Sequence, residues 1–384
     1  MRKFAKTFNV IIMTIFVTMM NMAAFGQAVT LPPNGDNNQC IVTQYIGSLV
    51  SVTVSYHSPN VTGPAGEDRK GKIWGQLVPY GFNNLGFGTA KESPWRAGAN
   101  ENTTITFSHD VMVQDKPLKA GKYGLFIVAQ KEGPWTLIFS NNSTSWGSFF
   151  YDPKDDALRV TTTPQDAPFH EWLTYEFSDR ETDHATCALV WETKMIPFTI
   201  KVPNIKELYV ENLRHELQNS QGFSWNGWND AANYCVQNKM NLDEALVWAN
   251  KSINEPGIGE ENFNTLSTKA QIFDALGKTD SAAKVMQKAI NSPTASVFQI
   301  HQYGRQLLGQ GKKDEALKTF QLNAKMHPNQ WPVNVGLARG YSAVGDYKTA
   351  LKYAKLALDQ APDPGNKNSL NAAIEKLQKG QDMN

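Results

Sequence analysis

The sequence predicts two domains of different class: an all-β antiparallel sandwich, followed by an all-α solenoid of stacked helix-turn-helix units. Three observations predict it. Four alanines, Ala245, Ala282, Ala316 and Ala350, stand 37, 34 and 34 residues apart, and their neighbours repeat with them. Upstream, Val50, Val52, Val54 and Tyr56 alternate with Ser51, Thr53 and Ser55, the period of a half-buried strand. The texture changes at Pro203, after which apolar residues recur at helical spacing. A period near 34 residues marks paired helices that each bury an apolar face on the next pair.

In chain order, Arg2, Lys3 and Lys6 precede an apolar stretch from Val10 to Met20, and Ala24 and Gly26 stand before Gln27. This pattern predicts a secretory signal over 1–26, cut after Gly26, since 11 apolar residues are too few to span a bilayer. The mature chain is then expected outside the cytoplasm, periplasmic or secreted, without a transmembrane segment. Residues 27–39 are rich in Pro, Gly and Asn and read as a flexible leader. Residues 40–203 form the β domain: Thr103 to Phe107, Trp135 to Phe139 and Trp172 to Phe177 alternate like Val50 to Tyr56, with turn residues between. Six of the ten tryptophans lie there, and most are expected to fill the space between two sheets.

Ile205, Leu208, Tyr209, Leu213 and Leu217 then predict a connecting helix over 204–224, with Gly222 as its stop. Residues 225–362 hold four repeats. Twelve residues before each marker alanine stand Asn233, Ala270, Gly304 and Ala338; three of these are small enough for close helix contact. Five residues before it stand Gly277, Gly311 and Gly345, the turn between paired helices, with Met240 breaking the rule in the first copy. Pro256, Pro293, Pro328 and Pro362 end the second helix of each unit. Residues 363–384 carry a capping helix and tail that shield the open end of the solenoid. On these markers the region resembles the tetratricopeptide repeat family, whose members imply a protein or peptide partner held by the repeats.

Composition narrows the function classes. The chain has 37 Lys and Arg against 36 Asp and Glu; removing Arg2, Lys3 and Lys6 with the signal leaves 34 against 36, a net of −2. No basic run or stripe exists to track phosphates, so a nucleic-acid partner is not expected. The seven histidines show no paired spacing, so structural zinc is not expected and only a site assembled from distant residues stays open; no metal or other cofactor is expected. An exported chain can form disulfides, and Cys40 and Cys187, in strands near the two ends of the β domain, are the candidate pair; the odd count of three leaves the bridge open.

No catalytic motif survives inspection. Gly66 to Lys72 has the spacing of a phosphate-binding loop, but Ile73 stands where Ser or Thr would hold magnesium, and a strand follows instead of a helix. Gly222-Phe-Ser224-Trp-Asn226 lacks the closing glycine of a nucleophile elbow. The β domain instead carries ordered blocks: Leu77-Val-Pro79-Tyr80-Gly81, then Trp95-Arg96-Ala-Gly98-Ala-Asn100-Glu101-Asn-Thr103-Thr104, then Leu118-Lys-Ala-Gly121-Lys-Tyr123, then Trp146-Gly147, Tyr151-Asp152 and Leu158-Arg159-Val160. These resemble an uncharacterised family of exported bacterial proteins known only as a domain of unknown function. The stretches 60–71 and 82–94 look like insertions in that pattern. The family implies no activity.

Two candidate sites follow. Arg96, Asn100 and Glu101 share a glycine-containing loop, where Arg can grip a carboxylate or phosphate and Glu can act as base. The structural alternative is that Arg96 and Glu101 pair with each other to fix the bend. In the array, the first helices should line a groove with ladders at Ser267, His301 and Val335, and at Gln271, Arg305 and Arg339. The favoured expectation is a non-enzymatic binding or scaffold protein whose repeats engage a peptide or protein. The alternative is a hydrolase or small-ligand-binding β domain recruited by the repeats.

Overall fold

The computed structural model describes residues 37–384; the expected signal (1–26) and most of the leader (27–36) lie outside the described residues. The chain divides into two compact units between Pro203 and Asn204.

Among the described residues, the first unit holds ten strands in two antiparallel sheets. One sheet has the order β1 (Asn38–Ile46), β2 (Val50–Ser58), β3 (Thr104–Phe107), β6 (Gly121–Val128), β7 (Trp135–Ser140), β8 (Asp156–Thr162). The other runs β5 (Lys116–Leu118), β4 (Val111–Val113), β10 (His184–Lys201), β9 (Gln165–Ser178). Val50, Val52, Val54 and Tyr56 are all buried while their serine and threonine neighbours are not, so the period-two pattern marks the inner face. Phe139 of one sheet meets Phe198 of the other with ring centroids 6.1 Å apart.

Strand β6 departs from alternation: Tyr123 to Val128 are all buried. Its second face is covered by the 82–94 stretch, where Ala90 packs with Phe126, Val128, Ile138 and Tyr151. Gly88 lets this cover approach: an added Cβ would fall 2.2 Å from the Phe149 carbonyl oxygen. The insertion is therefore part of the core. Trp74, Trp95, Trp135 and Trp191 form one contacting cluster, whereas Trp146 and Trp172 remain largely exposed.

The second unit holds ten helices among the described residues. The first, α1 (Ile205–Glu216), is followed by four antiparallel pairs. These are α2 (Trp225–Asn238) with α3 (Leu242–Asn254), α4 (Phe263–Ala275) with α5 (Thr279–Ile290), α6 (Val297–Gly309) with α7 (Lys313–Met326), and α8 (Trp331–Ala343) with α9 (Tyr347–Gln360). The last, α10 (Pro364–Gln378), packs on α9. Ala245, Ala316 and Ala350 are fully buried and Ala282 nearly so, which explains the marker. Gly277, Gly311 and Gly345 turn each pair with φ of 74°, 76° and 88°, a region glycine enters without strain. In the first pair, Lys239 and Asn241 adopt φ of 55° and 47° and do the same work without glycine.

The helix expected over 204–224 stops at Glu216, and a separate 3-10 turn spans Ser220–Phe223. Gly222 is a close-approach residue there, since a Cβ would meet the Leu217 carbonyl oxygen at 1.9 Å. Phe320 of α7 is the wedge of the third and fourth pairs. It is fully buried, and a Cβ at Gly304 or Gly336 would fall 2.4 or 2.6 Å from its ring. Burying such a ring stabilises by roughly 1.5–3 kcal/mol.

Candidate functional site

The β-domain loop is packed, and its charges pair differently from expectation. Arg96 does not pair with Glu101. Its Nη1 donates to the Asn100 carbonyl at 2.6 Å, and its guanidinium lies over Phe149, 5.3 Å from the ring centroid. Gly147 makes room for it, since a Cβ would sit 2.6 Å from the guanidinium carbon. Burial lowers the Arg96 pKa. Glu101, half exposed, instead faces His57 Nδ1 at 3.1 Å. Ala97 and Asn100 carry φ of 54° and 57°, and the Ala97 carbonyl accepts from Thr103 and Tyr175 hydroxyls at 3.0 and 2.9 Å. Arg96 thus holds a tight turn closed.

The bridge between Cys40 and Cys187 that the sequence leaves open is not formed: both, like Cys235, are free thiols. They lie on different sheets, β1 and β10, and the Cys40 thiol donates to the Asn38 carbonyl at 3.7 Å. The loop that imitates a phosphate cradle is tied down by protein, with Gly71 N–H donating to the buried Glu192 carboxylate.

The β domain does have a cavity, of 680 Å³, but elsewhere. Phe82, Thr89, Lys91, Glu92, Tyr151, Asp152 and Arg159 line it. Beside it, Asp156 accepts from the Tyr151 hydroxyl at 2.9 Å and from Arg159 Nε at 2.5 Å, while Arg159 Nη2 donates to the Tyr151 oxygen at 2.8 Å. Nothing in the sequence singled out Asp156.

In the array, the structure brings His301, Arg305, Val335 and Arg339 to one 250 Å³ groove, with Trp331, Asn366, Leu370 and Lys376 among its other walls. Repeat geometry puts Arg305 on α6 and Arg339 on the neighbouring α8. Ser267 and Gln271 do not join them. Ser267 donates to the Asn264 carbonyl at 3.0 Å, and Gln271 lines a separate cavity with Asp274 and Gln306. The α10 residues were not foreseen, because helix α10 is not a repeat and no ladder count reaches it; Trp331 lies one turn before Val335 on α8, outside the two ladder positions counted.

The groove is electropositive and short of partners. Among the described residues no carboxylate forms an ion pair with Arg305 or Arg339, and no acidic side chain lines the cavity. Arg339 Nε, His301 Nδ1 and Trp331 Nε1 are buried without a hydrogen-bond partner. Burial, reinforced by the charges of Arg339 and Arg305, pushes the His301 pKa down to about 4, so its ring is neutral at pH 7. Burial and Arg305 likewise lower Arg339, with Asp382 opposing.

Residues 38–200 match the family described as "Protein of unknown function (DUF2911)", and residues 335–367 match the tetratricopeptide repeat. The first unit carries the match to the DUF2911 family, and the second carries the match to the tetratricopeptide repeat. Among solved structures, the chain is similar to YrrB, described as a tetratricopeptide-repeat protein with an unusual peptide-binding site. Identity is 20%, covering 44% of this chain and 84% of that one, with a TM-score of 0.30. It is also similar to two forms of MamA, labelled MSR-1 and AMB-1, at 16% and 15% identity. Each covers 41% of this chain, with 87% and 83% of those chains, and a TM-score of 0.28. No curated protein matches. The DUF2911 blocks fall on structural positions: Arg96 closes the turn, Tyr151 and Arg159 brace Asp156, and Gly121 opens β6. Among the described residues no helix is long and apolar enough to cross a membrane, and no cluster of His, Cys, Asp and Glu is arranged to hold a metal.

Proposed function

We propose that this protein binds a peptide segment of a protein partner in the groove between α6, α8 and α10, and that an anionic group of that segment lies between Arg305 and Arg339. One observation carries the reading: Arg305, Arg339 and Lys376 converge on one concave surface with no carboxylate among its walls. Like charges held together in this way cost free energy until an anion neutralises them, and two guanidinium forks suit a carboxylate. Trp331 and Leu370 supply apolar wall for a neighbouring side chain. We place this binding outside the cytoplasm, on the charged, apolar and small-residue pattern of residues 1–26; mass measurement of the exported chain should give an N-terminus at Gln27.

The test is selection from a random peptide library presented with free carboxyl ends. Enriched peptides should carry Asp, Glu or a terminal carboxylate at the contact, and Arg305→Glu with Arg339→Glu should abolish capture while circular dichroism stays unchanged. Peptides that lack acidic groups, or that bind the double variant equally, would overturn the reading. The 680 Å³ cavity of the DUF2911 domain favours a second reading, a small-ligand site. Ligands that raise the melting temperature of the native chain but not of Lys91→Ala would support it.

A further inference from the structure

The segment after α10 folds back onto the groove. Gly380, at φ 67°, ends the helix, and Gln381 N–H closes the turn on the Lys376 carbonyl at 3.0 Å. The chain then runs along α8 in three consecutive contacts. Asp382 accepts from the Ser342 hydroxyl at 2.6 Å, and Met383 N–H donates to the same oxygen at 2.9 Å. The Met383 side chain is only 9% exposed and packs with Ala338, Ala373 and Leu377. Asn384 brackets Arg339: its Oδ1 accepts from Nη1 at 3.3 Å, and its Nδ2 donates to the Arg339 carbonyl at 3.1 Å. Met383 is itself a wall of the groove that His301, Arg305 and Arg339 line.

This is how a bound peptide is held: a backbone N–H paired, one apolar side chain in a socket, and polar groups on either side fixing the register. We infer that the face of α8 and α10 at Ser342, Ala373 and Arg339 is a recognition site for a short segment of the pattern acidic–apolar–amide, which the chain's own Asp382-Met383-Asn384 fills. A partner segment of that chemistry takes the site by displacing the tail, its amide replacing Asn384 against Arg339. The inference rests on the reading of the groove as the partner surface, and it adds the partner's sequence chemistry and a built-in competitor.

The probe is a fluorescent peptide with the sequence of Lys379 to Asn384 and an amidated end, so that no terminal carboxylate contributes. Its binding is measured by anisotropy against the native chain, a chain lacking residues 381–384, and full-length Met383→Asp. The two released chains should bind it roughly tenfold or more tightly than the native chain, since an occupied site lowers apparent affinity by its free fraction. A peptide carrying Asp in place of the methionine should bind none of them. If removal of the tail unfolds the array, Met383→Asp carries the comparison. Equal binding to native and released chains, or no binding to a folded released chain, overturns the inference. Its failure is separable from that of the partner reading: acidic library peptides would still be captured through Arg305 and Arg339. Exchange of the tail peptide with no library capture would be the reverse result.

Discussion

His301 shows how a single buried ring reports on its surroundings. Its pKa is pushed down to about 4 by burial and by Arg339 and Arg305, against an ordinary value of 6.5. The unfolded chain therefore takes up the proton first as pH falls. The stability is fully present above pH 6.5 and is lost progressively between 6.5 and 4, by on the order of 1–3 kcal/mol. Urea titrations of native protein and His301→Gln at pH 7.5 and 4.5 should show the acid loss shrinking in the variant; an unchanged loss would place its origin elsewhere. Arg96 makes a different prediction. Its bond to the Asn100 carbonyl is the clasp of a turn, so Arg96→Ala should cost the β domain about 1–2 kcal/mol. Glu101→Gln, on a half-exposed pair with His57, should cost little. Near-ultraviolet dichroism of the tryptophan cluster during melting separates the two; a large loss for Glu101→Gln would show that the carboxylate matters to the fold.

At the scale of elements, the helical pairs were legible because their determinants are local. A buried alanine, a glycine in a left-handed turn and a closing proline each act within a few residues, so their spacing writes the period directly into the chain. The two pairs that bracket Phe320 depend on space as well. Gly304→Ala should drive a methyl into that ring and destabilise the array by about 1–3 kcal/mol, with Phe320→Leu restoring part of the loss. Helical melting at 222 nm checks this, and a silent Gly304→Ala would mean the wedge is loosely held. Contacts made across long sequence separations were not legible. The partner of Arg96 is a backbone carbonyl, which no residue type announces. Glu101 pairs with His57 from a strand 44 positions earlier. The 82–94 stretch reads as a loop because its turn residues are local, while its burial depends on β6 and Tyr151.

Across the whole molecule, the groove depends on three elements of unlike origin. Two are first helices of repeats, and their Arg305 and Arg339 could be placed by counting from the marker alanines. The third is α10, which lies outside the repeat and supplies Asn366, Leu370 and Lys376, followed by a tail that adds Met383. The ladder at Ser267 and Gln271 does not reach this surface, so the proposed binding surface is confined to the last two repeats and the helix that follows them. The array is in this sense asymmetric: the groove lined by Arg305, Arg339 and Lys376 lies where the capping helix closes the stack. The most direct test is calorimetric titration of a library-selected acidic peptide into the full chain and into Arg305→Glu with Arg339→Glu. The account predicts saturable binding to the native chain and none to the double variant, with helicity equal in both. Equal affinity for the two chains would contradict it.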